Sequence, residues 1–287
     1  MTLVKPPPLR QFKKIIWDHY RKERRDLSWR KTRDPYRILV SEIMLQQTQV
    51  ARVETFYRNF IKQFPDFRAL AAAKTSDVLR AWQGLGYNRR ALNLRRTVQV
   101  ITDEYGGRLP RDRKALEALP GIGKGTSGSL LAFAFNMPEV FIETNIRRVF
   151  IHFFFPDKKK VTDEELARYI ESTLDRERPR EWYWALMDYG SAMVRGAGHG
   201  MTAGAKRTTS VNPNHKSAHY KKQSTFKGSN RELRGNLLKL FLHKERILAS
   251  SLPEALKEPK KRTQRILKAL CQEGFLVRKG DYFRINT

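Results

Sequence analysis

Leu119-Pro120-Gly121-Ile122-Gly123-Lys124-Gly125-Thr126 is the stretch on which the fold turns. A proline-glycine turn between helical runs, with a second glycine two positions on, lets the backbone approach another molecule closely. The free N–H groups at the head of the following helix, expected over Ser127 to Phe135, are placed to hold a phosphate. Such a segment reads as a helix-hairpin-helix element, which grips a nucleic-acid backbone through Gly121, Gly123, Lys124, Gly125 and Thr126 without reading bases. A helix C-cap followed by an N-cap would use some of the same glycines, so its neighbours must decide.

On either side the chain is helical. Val50, Val53, Phe56, Tyr57, Phe60 and Ile61 form a stripe at helical spacing. Leu70, Val78, Leu79, Trp82 and Leu85 continue it up to Gly84 and Gly86, and a further helix is expected from Ala91 to Tyr105, stopped by Gly106-Gly107. Nothing in this region alternates at period two for long, so residues 1–195 are read as an all-α domain. Residues 196–228 are rich in Gly, Ser, Lys and Arg and poor in apolar residues, a connector without a core of its own. Residues 229–287 carry helices at Arg231 to Leu242 and Arg262 to Glu273. A hairpin of Phe275–Val277 and Tyr282–Ile285 follows, the order of a winged helix. Lys260, Lys261 and Arg262 fall at the start of its last helix, where phosphate contacts are natural. The alternative is a solvated basic face on a structural appendage.

The chain has 287 residues, with 57 Lys+Arg against 29 Asp+Glu, a formal net charge of +28. With 40% hydrophobic and 11% aromatic residues it is no disordered basic tail. Such an excess on a folded chain makes polyanions the first partner class, nucleic acid ahead of membrane. No apolar run approaches the roughly 20 residues of a membrane helix, and Met1 to Lys14 lack an apolar signal core. Cys271 is the single cysteine, which excludes internal disulfides, cysteine-ligated zinc and a four-cysteine cluster. The expectation is a soluble, intracellular monomer that works on DNA, in the cytoplasm with the nucleoid if the source is bacterial.

Further segments sit in fixed order around the hairpin. Upstream are Trp29-Arg30, Asp34-Pro35-Tyr36-Arg37, Ser41-Glu42-Ile43-Met44-Leu45-Gln46-Gln47-Thr48-Gln49-Val50 and Gly84-Leu85-Gly86-Tyr87; downstream are Phe141 to Val149 and Ala185 to Gly190. Together they resemble the helix-hairpin-helix DNA glycosylase superfamily, and within it the A/G-mismatch adenine DNA glycosylases, over roughly residues 12–195. The resemblance implies a two-lobed, all-α fold with the active site in the cleft between lobes, double-stranded DNA with a mismatch or lesion as partner, and hydrolysis of the glycosidic bond of a flipped base.

Positive charge grows on the sugar as the base departs, so two carboxylates with different tasks are needed. Glu42, beside apolar Ile43, Met44 and Leu45, matches the family's general acid. Glu143 stands where the family has its essential aspartate, and Thr144 where it has glycine. This carboxylate is one methylene longer, and it is read as working, against an inactive enzyme or a solvated helix-cap acid. Asn145 matches the residue that orients it. Trp29 and Arg30 match the base-pocket lining and Asp188 an acid nearby, although Trp29 and Asp188 fit a packed interior too. Gln46, Gln47, Leu85 and Tyr87 match the residues that wedge into the stack around the extruded nucleotide; Leu85 and Tyr87 would also suit a core.

Three departures bear on specificity. Gly125 stands where bifunctional relatives carry a Schiff-base lysine, so lyase chemistry is disfavoured. Arg195-Gly196-Ala197-Gly198-His199 occupies the place of the cluster cysteines, so no iron–sulfur cluster and no other cofactor is expected; His199, His215 and His219 are too irregularly spaced for a metal. Residues 229–287 are too short for the larger module that recognises 8-oxoguanine in relatives. The leading expectation is a monofunctional glycosylase acting on adenine opposite G or 8-oxoguanine. The alternatives are a thymine/uracil mismatch glycosylase and an inactive DNA-binding homologue.

Overall fold

A computed structural model describes residues 6–195, 212–221, 224–244 and 246–286. Among these the chain forms α1 (Leu9–Glu23), a 3₁₀ turn (Ser28–Arg30), α2 (Pro35–Leu45), α3 (Val50–Gln63), α4 (Phe67–Ala72), α5 (Thr75–Ala81) and α6 (Arg89–Glu104). Next come α7 (Arg113–Ala118), α8 (Lys124–Phe135), α9 (Thr144–Phe154), α10 (Asp163–Thr173) and α11 (Pro179–Arg195). The C-terminal part holds α12 (Asn230–His243), β1 (Ile247–Leu248), α13 (Leu252–Leu256), α14 (Lys260–Gln272), β2 (Leu276–Lys279) and β3 (Tyr282–Ile285). The chain packs into two compact units that interleave along the sequence. One holds Met1–Arg33, Arg111–Arg113 and Gly123–Lys222; the other holds Asp34–Pro110, Lys114–Ile122 and Gln223–Thr287.

The first unit is an aromatic-cored helical cluster. Phe12 of α1 is fully buried against the rings of Phe150, Phe154 and Trp182 from α9 and α11. Edge and tilted contacts of this kind add to the burial of large apolar area. Helix α8 ends at Asn136 in the left-handed conformation, and buried Arg180 donates to the carbonyls of Phe133 and Ala134 at that end. A guanidinium satisfying otherwise orphaned C-terminal carbonyls is a favourable use of a buried charge. Gly190 lets α11 touch α9: a Cβ there would collide with the Asn145 carbonyl oxygen.

In the second unit α2 opens with Asp34, whose side chain accepts from the Tyr36 N–H, and Pro35 follows at the first helical position. The Tyr36 hydroxyl donates to the Phe64 carbonyl at 2.6 Å, and Phe60 and Trp82 fill the interior beside it. Helix α4 lies on α6, and α12 packs against α5. The C-terminal strands form an antiparallel sheet in the order β1-β3-β2, with Ile247 opposite Phe283 and Leu276 opposite Ile285. Helix, strand, two helices and a hairpin give the winged-helix order; β1 and α13 are too short to stand out in the sequence. Glu273 joins this part to α6, accepting from Arg234 of α12 and from Arg89.

Several boundaries differ from the sequence expectation. The helix expected from Ser127 begins at Lys124, so Lys124, Gly125 and Thr126 form its first turn. The stripe from Leu70 to Leu85 is shared by α4 and α5, with the break at Ala73-Lys74. The connector 196–228 is not bare throughout. Pro213–Lys216 form a 3₁₀ turn, Ser217 pairs with Val161 in an isolated bridge, and Asn214 is buried. Residues 196–211 lie outside the described residues. The sequence boundaries at 195 and 229 follow chain order, whereas packing groups 224–286 with α2 to α6.

Two glycines provide opposite tests by thermal unfolding. Gly190→Ala forces a methyl into the Asn145 backbone and is expected to cost about 1–3 kcal/mol. Gly235→Ala, inside α12 with no atom within 4 Å of the added carbon, is expected to stabilise by about 0.5–1 kcal/mol. An unchanged midpoint for Gly190→Ala contradicts the close crossing.

Candidate functional site

The chain after α8 runs extended through Phe141 and Ile142 and turns into α9 at Glu143, the N-cap. Its carboxylate folds back over the first turn. Oε1 accepts from the N–H of Asn145 at 2.8 Å and of Ile146 at 3.3 Å, and Oε2 from the Asn145 side-chain amide at 3.4 Å. Aspartate is the commoner cap because it is shorter; the extra methylene here is absorbed in reaching the same donors. Thr144 is exposed, so its side chain meets no obstacle where the resemblance has glycine.

Asn145 is itself fixed. Its Oδ1 accepts from Arg148 Nη1 at 2.7 Å, and the same nitrogen donates to the Gly190 carbonyl at 2.6 Å. Arg148, only 7% exposed, also donates through Nε to Asn212 Oδ1 at 3.2 Å, while Asn214 Nδ2 donates to the Thr144 carbonyl at 3.0 Å. Arg148, Asn212 and Asn214 therefore hold the cap from behind. None was singled out in the sequence, since Asn212 and Asn214 sit in a stretch with a connector's composition. Burial pushes the Glu143 carboxyl above the ordinary range, although the residue keeps some accessible surface; the bonds from Asn145 and Ile146 and the Arg148 charge pull back but do not cancel it. Every bond recorded at this carboxylate is donated to it, which suits the ionised form at a helix N-terminus.

Glu42 is in the other unit, half-buried near the end of α2 between buried Ile43 and Ser41. The chain leaves α2 through Gln46 and Gln47, and Gln47 has a left-handed φ of 54°. Tyr87, in the turn before α6, has a φ of 49°. Both loops close on Arg90. Its guanidinium donates to the carbonyls of Met44 at 2.8 Å, Ile43 at 3.0 Å and Gly86 at 3.1 Å, to the Gln46 carbonyl, and to Thr48 Oγ1 at 2.9 Å. It also lies over the rings of Trp82 and Tyr87. Burial lowers its pKa to about 10, still charged at neutral pH. Two loops 40 residues apart share one clamp, a link invisible in a sequence that shows only one more arginine in a basic run.

Of the expected wedge residues, Gln46, Gln47 and Tyr87 are at least partly exposed in these loops, whereas Leu85 is 3% exposed and belongs to the core. The hairpin has the expected backbone. Gly121 has a φ of 80° and faces Asn93, where a Cβ would come within 2.8 Å of the side-chain amide. Gly123 caps α8, with Lys124 exposed beside it. Gly125 packs near the Ile142 carbonyl, 3.3 Å from where a Cβ would stand.

The expected base-pocket set is different in kind. Asp188 is 2% exposed and is bracketed by Arg30, at 2.7 and 2.8 Å, and by Arg25. Burial, the largest single influence, raises its pKa, but the two guanidinium groups together hold it below the usual carboxylate range. Arg30 lies over the Trp184 ring, and Trp29 is buried at 6%. This is a closed ion triad that fastens the Ser28–Arg30 turn to α11. In the C-terminal part Lys260 and Lys261 are exposed on the first turn of α14. Arg262 is turned inward, bonded to Glu258, the Gly228 carbonyl and Asn230.

The single cysteine, Cys271, is on α14, and no three His, Cys, Asp or Glu side chains converge among the described residues. His215 lies against Tyr220 and His219 3.7 Å from Asp163; His199 lies outside the described residues.

Residues 40–174 match the HhH-GPD superfamily of base excision DNA repair proteins. A thymine/uracil-DNA glycosylase of Methanothermobacter thermautotrophicus is 31% identical over 183 residues, covering 63% of this chain and 83% of that one. The chain belongs to the HhH-GPD superfamily. The adenine DNA glycosylase of Buchnera aphidicola (subsp. Baizongia pistaciae) is 36% identical over 178 residues, and that of Mycolicibacterium smegmatis 46% over 134 residues. The matches cover 62% and 46% of this chain and 50% and 45% of those relatives, so the chain spans about half the length of these adenine glycosylases. Among solved structures, a thermostable thymine-DNA glycosylase superposes with a TM-score of 0.57 at 29% identity, over 64% of this chain and 86% of that one. A non-covalent endonuclease III–DNA complex superposes at 0.56 and 19% identity, over 72% of this chain and 92% of that one. The all-α HhH-GPD fold stands on both, the latter supporting the fold alone.

The raised Glu143 pKa has a signed consequence. Well below the ordinary glutamate value of 4.5, the carboxyl is neutral folded or unfolded, and Glu143→Gln mimics it. As pH rises from about 4.5 toward the shifted value the wild type bears an increasing cost that the amide escapes, and above the shifted value that cost is constant. The stability of Glu143→Gln relative to wild type is therefore expected to climb with pH from about 4.5 and then level off. Urea unfolding across pH 4–8 checks this, and a difference that falls with pH contradicts it.

Proposed function

We propose that the chain is a monofunctional DNA glycosylase that releases adenine from double-stranded DNA at a mismatch or lesion. The observation that carries this reading is Glu143: a carboxylate capped by three N–H donors, at the position where the family resemblance has its essential acid. In the proposed reaction the C1′–N9 bond breaks with its electron pair passing to the base, and Glu42 protonates the leaving ring. Glu143, ionised, offsets the positive charge that develops at C1′, and water then adds there and gives up its proton through solvent to the Glu42 carboxylate, which restores the acid. The reaction requires both carboxylates to reach one extruded nucleoside on DNA. Gly125 offers no amine for a Schiff base, so base release is not followed by strand cleavage through lysine.

Adenine is taken from the names of the Buchnera and Mycolicibacterium relatives. A second reading, thymine or uracil release, is favoured by the Methanothermobacter relative, of whose length this chain covers the larger share, 83%. Gly121, Gly123 and Lys124 are assigned to the phosphate backbone, with Lys260 and Lys261 as a second basic contact. No cofactor takes part.

Single-turnover assays on duplexes carrying A, T or U opposite G or 8-oxoguanine test the proposal. Release of adenine is expected, with Glu42→Gln slower by about 10²-fold or more while duplex binding persists. Release of T or U alone establishes the second reading; no release by a folded sample overturns both. Duplex affinity should fall with salt at a log–log slope of about 0.9 per phosphate neutralised, and a flat response contradicts the basic surface.

A further inference from the structure

Tyr87 is held by the C-terminal part of the chain. Its hydroxyl receives a hydrogen bond from Arg231 Nη1 at 2.6 Å, and the Arg231 guanidinium lies 5.6 Å from the ring centroid. Arg231 belongs to α12, 144 residues away in sequence, and its other terminal nitrogen donates to the Ser224 carbonyl at 2.7 Å. Both terminal nitrogens are thus engaged within the protein. Arg90 lies 5.5 Å from the same ring. These contacts bear on a residue whose backbone is left-handed, a conformation that is strained for an L-residue and persists only when its surroundings over-determine it.

Helix α12 is in turn fixed to α6. Glu273 accepts from Arg234 and Arg89, and the Glu273 carbonyl accepts from Arg96 at 2.9 Å. Tyr87 and Arg231 both line a cleft of about 1300 Å³, together with Gln46, Gln47, Phe226 and Lys239. A wedge must be rigid before DNA arrives, because a ring that first has to be ordered loses part of its interaction energy to that ordering.

We propose that Arg231 is a positioning residue for base extrusion: beside the phosphate contact assigned to Lys260 and Lys261, the C-terminal part acts on the reaction by holding the Tyr87 ring and hydroxyl in place. The inference rests on the glycosylase reading and on Tyr87 as the residue that enters the base stack. It gives the winged-helix part a task that its basic surface alone does not suggest.

The test compares Arg231→Leu, Arg231→Lys, Tyr87→Phe and the Arg231→Leu/Tyr87→Phe double variant in the full chain. Three quantities are read: affinity for an undamaged duplex, fluorescence of 2-aminopurine at the target position, and the single-turnover rate of base release. The two single variants Arg231→Leu and Tyr87→Phe are each expected to slow extrusion and release about tenfold, with duplex affinity within twofold. The double variant is expected to be no slower than the worse single, and Arg231→Lys to lie between wild type and Arg231→Leu. Wild-type extrusion by Arg231→Leu, losses that multiply in the double variant, or a loss confined to duplex affinity each overturn the proposal. The fluorescence reports extrusion even from a chain that releases no base, so failure of the glycosylase reading is seen separately from failure of this one. Tm values without DNA guard against misfolding: the contact predicts that the double variant loses less than the two singles summed, and strict additivity counts against it.

Discussion

The carboxylate of Glu143, turned back onto the first N–H groups of α9, is the interaction on which the rest depends. A helix N-terminus provides free donors and a partial positive charge, and these orient an acid that burial would otherwise neutralise. The competition sets the character of the site. Desolvation raises the pKa, the hydrogen bonds and Arg148 oppose it, and the acid is left closer to neutrality than an exposed glutamate but shaped as an acceptor. An ionised group kept short of full solvation interacts more strongly with charge developing near it. The cap, Asn145, Arg148, Gly190 and Asn212 act as one unit, and α11 comes as close as it does because Gly190 has no side chain.

The second unit solves a different problem, that of keeping two short loops rigid. Gln47 and Tyr87 both have left-handed backbones, and each is within reach of the Arg90 clamp or its carbonyl partners. A flexible pair of loops would lose entropy on meeting DNA, whereas a clamped pair has lost it on folding. Arginine suits this clamp because its planar fork addresses several acceptors at once while its face stacks on Trp82 and Tyr87. Lysine, a point donor, could not repeat that geometry.

The parts legible in the sequence were those governed by local rules. The hairpin glycines, the α3 stripe and the end of α6 at Gly106-Gly107 follow from backbone preference and periodicity. The missed parts depend on contacts between residues distant in the chain. The early start of α8 at Lys124 carries no side-chain cap to announce it. The docking of 212–217 rests on asparagine hydrogen bonds and a single bridge, so its polar composition gave no sign of packing. Asp188 and Arg30 were assigned to a base pocket by their place in the resemblance, and only the coordinates show that they are consumed by one another and by Arg25. Leu85 and Trp29 carry both readings in the sequence, and both are buried in the structure.

The central claim is that the capped charge on α9 performs the chemistry. Glu143→Gln keeps one acceptor oxygen for the backbone N–H groups and removes the charge, so its single-turnover release of adenine from an A:8-oxoguanine duplex is the most direct measurement. With folding and duplex affinity confirmed on the same sample, the account predicts a rate lower by several orders of magnitude. Base release by Glu143→Gln at the wild-type rate would contradict it and reduce Glu143 to a structural cap.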